Sequence, residues 1–223
     1  MKKFLFPIVA ILIFFSCKTE KNKAQEKEKE PISILDKIAL AHGYDKWKNV
    51  SELDFTFNVD RDTSHMERTW RWKVSTGEVV NFSQKDTIRY LRTAVDSISL
   101  RADAGFTNDR YWLLAPFNLV WDRDNFSYSH EAEASAPISK EPMQKLTIVY
   151  GNEGGYTPGD AYDFYYADDY LIREWVFRKS NQPEASLTTT WEEYQNVGGL
   201  KLATSHKVED NSWRLYFSDI EVH

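Results

Sequence analysis

One cysteine in a chain of 223 residues leaves no pair to join, so the fold holds no disulfide of its own and must stand on its core. Positive charge is not in excess either. Lys and Arg total 28 against 34 Asp and Glu, a formal net charge of −6, and that acidity argues against nucleic acid and against a basic membrane-surface patch. No apolar run reaches the roughly 20 residues that cross a bilayer as a helix. The signatures of familiar enzymes are missing as well: there is no Gly-x-Ser-x-Gly, no His-Glu-x-x-His and no phosphate-cradling glycine loop.

The cysteine stands where an apolar run meets a run of charge, in "ILIFFSCKTEKNK" (residues 11–23). Lys2 and Lys3, an apolar stretch from Phe4 to Phe15 and the small Ser16 have the form of a secretory signal peptide, residues 1–16. With Cys17 next, the junction resembles a bacterial lipobox, although Phe14 and Phe15 stand where Leu-Ala or Leu-Thr are commoner. The resemblance implies cleavage before Cys17 and a diacylglycerol on its thiol. The competing reading is an uncleaved signal anchor with an incidental cysteine. Each buried CH₂ contributes about 0.8 kcal/mol, so two or three acyl chains hold far better than the marginal grip of one. Loss of Lys2 and Lys3 with the leader takes the net charge from −6 to −8.

Residues 17–31 then form the lipidated cysteine and a charged tether. "KTEKNKAQEKEKEP" has five Lys, four Glu and no large apolar residue, so it cannot bury enough surface to offset its ordering entropy. Fully extended at about 3.3 Å per residue it reaches roughly 45 Å. An exposed charged helix is the alternative, and either form is a spacer.

Residues 32–223 suit one domain. Ser33 with Asp36 three later is a capping-box-like start, Ile34, Leu35, Ile38 and Ala41 recur at helical spacing, and Gly43 can supply a left-handed stop. The period then becomes two. Leu53, Phe55, Phe57 and Val59 alternate with polar residues, as do Met66, Trp70, Trp72 and Val74. Strand-like runs follow at "EVVNFS", "TIRYLR", "FSYSH", "KLTIVY", "AYDFYYA", "YLIREWVFRK", "LTTTWEEY", "LKLATSHKV" and "WRLYFSDIEV". The fold class expected is mainly β with a few helices (α+β): a strongly curved antiparallel sheet of about eleven strands forming a half-barrel around short helices. "GFTNDRYWLLAPFNLVWD" (residues 105–122) breaks the alternation. Thr107 can cap a short helix there, with Asp109 in its first turn, a Phe106–Tyr111 staple and Pro116 as its end. Apolar nearly all round, it must be covered on more than one side, and the hollow of the sheet is the place for it.

"AHGYDKW", "NDRYWLLAPFNLVWD", "GYTPGDAYDFYY", "IREWVFRK" and "TTTWEEY" are similar to blocks of a family of uncharacterised bacterial envelope lipoproteins, scattered over nearly all of residues 32–223. Tyr44 departs from it, where the family usually has a second glycine after His42-Gly43. A leading helix, an open antiparallel sheet and helices in its hollow resemble the periplasmic lipoprotein carrier and its outer-membrane receptor (LolA/LolB-like). That resemblance implies acyl chains bound in an apolar hollow. The residues here that could line one are Phe55, Phe57, Trp70, Trp72, Tyr90, Tyr111, Trp112, Phe117, Trp175, Phe177 and Trp191. The plain alternative is that they pack on one another as core. Eight Trp and twelve Tyr nevertheless bring N–H and O–H groups that need partners once buried, and a cavity with a few polar handles supplies them.

Candidate catalytic and metal groups give little. His42, at the end of the first helix, suits capping better than catalysis. His65 with Asp60 and Asp62 is a metal loop or, more simply, a polar turn. Asp122 and Asp124 in "WDRDN" lack the glycine and terminal glutamate of a calcium loop, and His130, His206 and His223 have no ligand spacing. No catalytic residue, metal or cofactor is expected. "GNEGGYTPGD" (residues 151–160) is either a long hairpin connection or a flap over the hollow.

The sequence thus points to a non-enzymatic lipoprotein anchored in the envelope of a double-membraned bacterium, on the outer membrane facing the periplasm, that binds a hydrophobic or lipidic ligand. The alternative is an interaction module with a filled core and a protein partner, its identity open. In either case Cys17→Ser should abolish membrane attachment and lipid-dependent signal cleavage. A variant still membrane-bound after a carbonate wash would contradict the lipobox.

Overall fold

In the computed structural model the described residues are 32–83 and 86–223. The signal peptide, Cys17 and the charged tether lie outside them. Helix α1 (Ile34–Ala41) opens as its sequence directs: the Ser33 Oγ accepts the Asp36 N–H and donates to the Asp36 carboxylate. Gly43 follows with φ +88°, and a Cβ there would collide with the Gly199 carbonyl oxygen. The backbone N–H of Lys201 donates to the His42 carbonyl at 2.9 Å, so the end of α1 is fastened to the strand that begins at Leu200. Tyr44, the departure from the family pattern, starts a 3₁₀ helix (Tyr44–Asn49) and sets its ring edge-on to Phe117 at 5.5 Å.

Twelve strands follow: β1 (Glu52–Arg61), β2 (Ser64–Lys73), β3 (Glu78–Phe82), β4 (Thr87–Leu91), β5 (Phe126–Ser135), β6 (Pro142–Tyr150), β7 (Ala161–Tyr166), β8 (Ile172–Arg178), β9 (Leu187–Thr190), β10 (Glu192–Val197), β11 (Leu200–Lys207) and β12 (Trp213–Val222). They make two antiparallel sheets, β10-β11-β12-β1-β2-β3-β4 and β5-β6-β7-β8-β9, which do not close into a barrel. Each of the eleven alternating runs is in strand, but "LTTTWEEY" is two strands rather than one. β9 pairs with β8 and β10 with β11, so the chain changes sheets at Trp191. The Trp191 amide still bonds the Arg173 carbonyl at 2.6 Å, while Glu193 takes φ +54° beyond the bend. At this seam the Lys207 amide donates to Thr190 Oγ1 at 3.1 Å. A strand that switches sheets at a bend turns two flat sheets into one curved surface.

The second helix is longer than expected. α2 runs Leu100–Trp121, 22 residues, and connects β4 to β5, the strands that end the two sheets away from the seam. Asp96 sets its start, its carboxylate accepting the Ile98 and Ser99 amides. Thr107 is therefore interior and not a cap, Phe106 and Tyr111 are not a staple, and Asp103 takes the first-turn place assigned to Asp109. Pro116 kinks α2 instead of ending it. Proline offers no N–H to the carbonyl four residues back and crowds it, and the strain is taken up at Leu114 (φ −120°, ψ 20°). Every residue from Asp109 to Leu119 is buried, so packing on all sides holds a helix that local preference would have broken. No helix among the described residues is long and apolar enough to cross a membrane.

Candidate functional site

Strand alternation puts Phe55 and Phe57 of β1, Trp70 and Trp72 of β2, Tyr90 of β4, and Trp175 and Phe177 of β8 on the inner faces, and α2 meets them with Tyr111, Trp112 and Phe117. Together with Trp191 these are the eleven candidate lining residues, and the structure brings all of them into one hydrophobic cluster, Phe177 at its partly buried margin. Phe106 touches the seven-stranded sheet, 5.5 Å from Trp70 and 5.6 Å from Trp72 between ring centres. Six residues later α2 reaches the five-stranded sheet, with Trp112 4.4 Å from Trp175. Tyr156, from the 151–160 loop, lies flat on Tyr111 at 3.7 Å, so that loop covers α2 and is more than a connection.

What seats α2 is a charge. Asp109 has no exposed surface. Its carboxylate takes two bonds from Arg68 (2.7 and 2.5 Å), one from the Trp70 indole N–H (2.8 Å) and one from Asn108 (3.0 Å). A carboxylate out of water is tolerable only when paired and hydrogen-bonded, and this one is both. The sequence signal was an acid inside an apolar run, which a helix-dipole reading explains too easily.

Several other buried polar atoms have no partner among the described residues. They include the indole nitrogens of Trp72, Trp175 and Trp191, Thr189 Oγ1 and His206 Nε2. The Tyr90 and Tyr111 hydroxyls lie near Asp103 and Tyr150 without reaching hydrogen-bond geometry. Four of these atoms belong to residues that touch or pair at the seam: Trp175 is opposite Thr189, Trp191 is 5.7 Å from Trp175, and His206 is 4.6 Å from Trp191. Burial pushes the His206 imidazole down to about 3, so it is neutral. Its Nδ1 faces the Thr190 carbonyl at 3.2 Å and must carry the proton, which leaves Nε2 as a bare acceptor. An orphan of this kind costs about 1–3 kcal/mol, and native interiors contain few.

The remaining candidates resolve simply. His42 is buried and neutral, pushed down to about 4 by desolvation. Its Nδ1 bonds the Ile38 carbonyl at 2.8 Å, a cap made by a neutral ring and not by a cation. His65 is exposed beside Asp60 at 2.7 Å, and that bond raises its pKa. Asp122 accepts from Asn118 and Tyr150. Glu52, Asp54 and His223 lie close together, but Arg71 already binds Asp54 at 2.6 Å and approaches Glu52 at 3.3 Å. Thr189 and Arg110 were not named by the sequence, while Asp109 and His206 were named only as a first-turn acid and as a histidine without ligand spacing.

No protein-family model matches this sequence, and no curated protein does. Among solved structures the chain is similar to a DUF1329 family protein from Desulfovibrio piger, with TM-score 0.47 and 10% identity over 83% of this chain and 91% of that one. It is also similar to a domain described as outer membrane lipoprotein-sorting from Vibrio parahaemolyticus, with TM-score 0.44 and 12% identity over 82% and 92%. The Mycobacterium tuberculosis lipoprotein LppX follows at 0.26 and 8% over 84% and 94%. The second and third of these carry lipoprotein in their descriptions. Scores of this size describe a general likeness of shape and nothing finer.

If Asp109 seats α2, Asp109→Asn should lower folding stability by about 2–4 kcal/mol in urea titration, less than a fully buried pair because Arg68 reaches solvent. A loss below about 1 kcal/mol would show that apolar packing alone holds the helix.

Proposed function

We propose that this protein binds a hydrophobic or lipidic ligand between α2 and the inner faces of the two sheets, without catalysis. The observation that carries the reading is the group of unpartnered polar atoms at the seam. Trp175 and Trp191 offer N–H donors, Thr189 a hydroxyl and His206 an acceptor, all within aromatic walls. Mostly apolar lining with a few polar handles is the usual make-up of a small-molecule site, and a ligand hydroxyl or ester satisfies these atoms where an apolar core leaves them stranded. The Leu114–Pro116 kink gives α2 a point at which its two halves can part to admit a chain. In this reading Cys17 carries the lipid that tethers the domain to the outer membrane on its periplasmic side.

A second reading has one observation in its favour. Ile98 and Leu100 are 76% and 63% exposed, with Phe82 and Leu91 also exposed, and a surface of that kind suits a protein partner.

A neutral naphthylamine probe separates the two. The delipidated chain should bind N-phenyl-1-naphthylamine saturably and lose tryptophan emission as it does. Thr189→Val keeps the side-chain volume and removes the stranded hydroxyl. It should leave stability unchanged or raised, yet weaken a hydroxylated long-chain ligand by about twofold to tenfold. A folded chain that binds no apolar probe would move the assignment to the interaction module.

A further inference from the structure

Arg110 is the one residue in the buried run of α2 whose charge the fold does not answer. Its side chain is more than nine-tenths buried, 9% exposed. Its guanidinium lies over two indole rings, 5.6 Å from the centre of Trp72 and 5.2 Å from that of Trp121. Among the described residues no acceptor hydrogen-bonds its guanidinium N–H groups. The Nε is buried and unpartnered, and so is the indole nitrogen of Trp72 beside it. The acids nearby are spoken for. Asp122 accepts from Asn118 and Tyr150, and Asp103 pairs with Arg92 at 3.3 Å. Arg92 itself adds a second positive charge close enough to press on Arg110.

A buried cation is costly to leave without a counter-charge, and the attraction of aromatic faces offsets only part of that cost. Guanidinium donors in a planar fork match the oxygens of phosphate and carboxylate. We infer that Arg110, with the Trp72 N–H, is the subsite for an oxyanion, and that the ligand of the hollow is an amphiphile with a phosphate or carboxylate head. This rests on the proposed ligand site and names the ligand's class. It also assigns the two ends of the site, an anionic head at Arg110 and weaker neutral contacts at the seam.

Displacement of N-phenyl-1-naphthylamine from the full chain at pH 7 tests it with dodecyl phosphate, myristate, the uncharged dodecanol and tetradecanol, and inorganic phosphate. The anionic amphiphiles should bind about tenfold or more tightly than the alcohols of equal chain length. Arg110→Gln should erase that preference without weakening the alcohols or lowering the unfolding midpoint, and Arg110→Lys should keep part of it. Arg110-dependent binding of inorganic phosphate, read by tryptophan emission, would support the oxyanion subsite but assign it to a free anion instead of a lipid head. Equal affinity for acids and alcohols would overturn the subsite and leave the hollow standing. Failure of every amphiphile and of the probe would overturn both. Should Arg110→Gln fail to fold, the preference of wild type over Arg110→Lys decides: an unchanged preference overturns the proposal.

Discussion

A helix that is buried on all sides has to be surrounded, and the rest of this architecture is arranged to surround α2. From Asp109 to Leu119 the helix has no solvent face, so one flat sheet could not cover it. Two sheets joined at the Trp191 bend supply the second wall, and the 151–160 loop adds Tyr156 against Tyr111. The enclosure in turn makes Asp109 necessary. An enclosed helix held by apolar contact alone can slide or rotate among similar packings. Three hydrogen bonds to one carboxylate, two from Arg68 and one from Trp70, allow a single register against β2.

Much of this is legible in the order of the amino acids alone. Two-residue alternation locates the strands because one face of each is buried and the other is wet. Ser33, Asp36 and Gly43 mark α1 because capping is a local matter of side-chain reach and backbone conformation. The failures share a cause. Thr107 and Asp109 look like the start of a helix and Pro116 like its end, and only the surrounding aromatic rings keep α2 continuous through them. Nothing in "LTTTWEEY" announces a change of sheet, since the bend at Trp191 is set by hydrogen bonds from β8 and β11. The aromatic candidates are legible as one cluster, seven of them being inward positions of strands and three lying on the apolar helix that those strands cover. The unpartnered atoms of Thr189, His206 and Arg110 are not, because whether a polar group is satisfied depends on neighbours far away in the chain.

Those atoms are where the folding account and the functional one meet. Ten buried side-chain polar atoms lack a partner among the described residues, and each removes stability that an apolar replacement would restore. Apart from the Tyr166 hydroxyl, they belong to residues at the seam or to α2 and the strands that face it. The proposed ligand, with polar and apolar parts, would satisfy them and return that stability on binding. With one cysteine the chain has no disulfide of its own to compensate, so its aromatic contacts carry the difference.

The most direct test is native mass spectrometry of the chain purified gently from its own membranes. The account predicts a non-covalent species of lipid mass, additional to any covalent anchor, that departs when the protein is unfolded and returns on refolding with the extracted lipid. A folded protein that shows only its own mass, and takes up none of the lipid offered to it, would contradict the account.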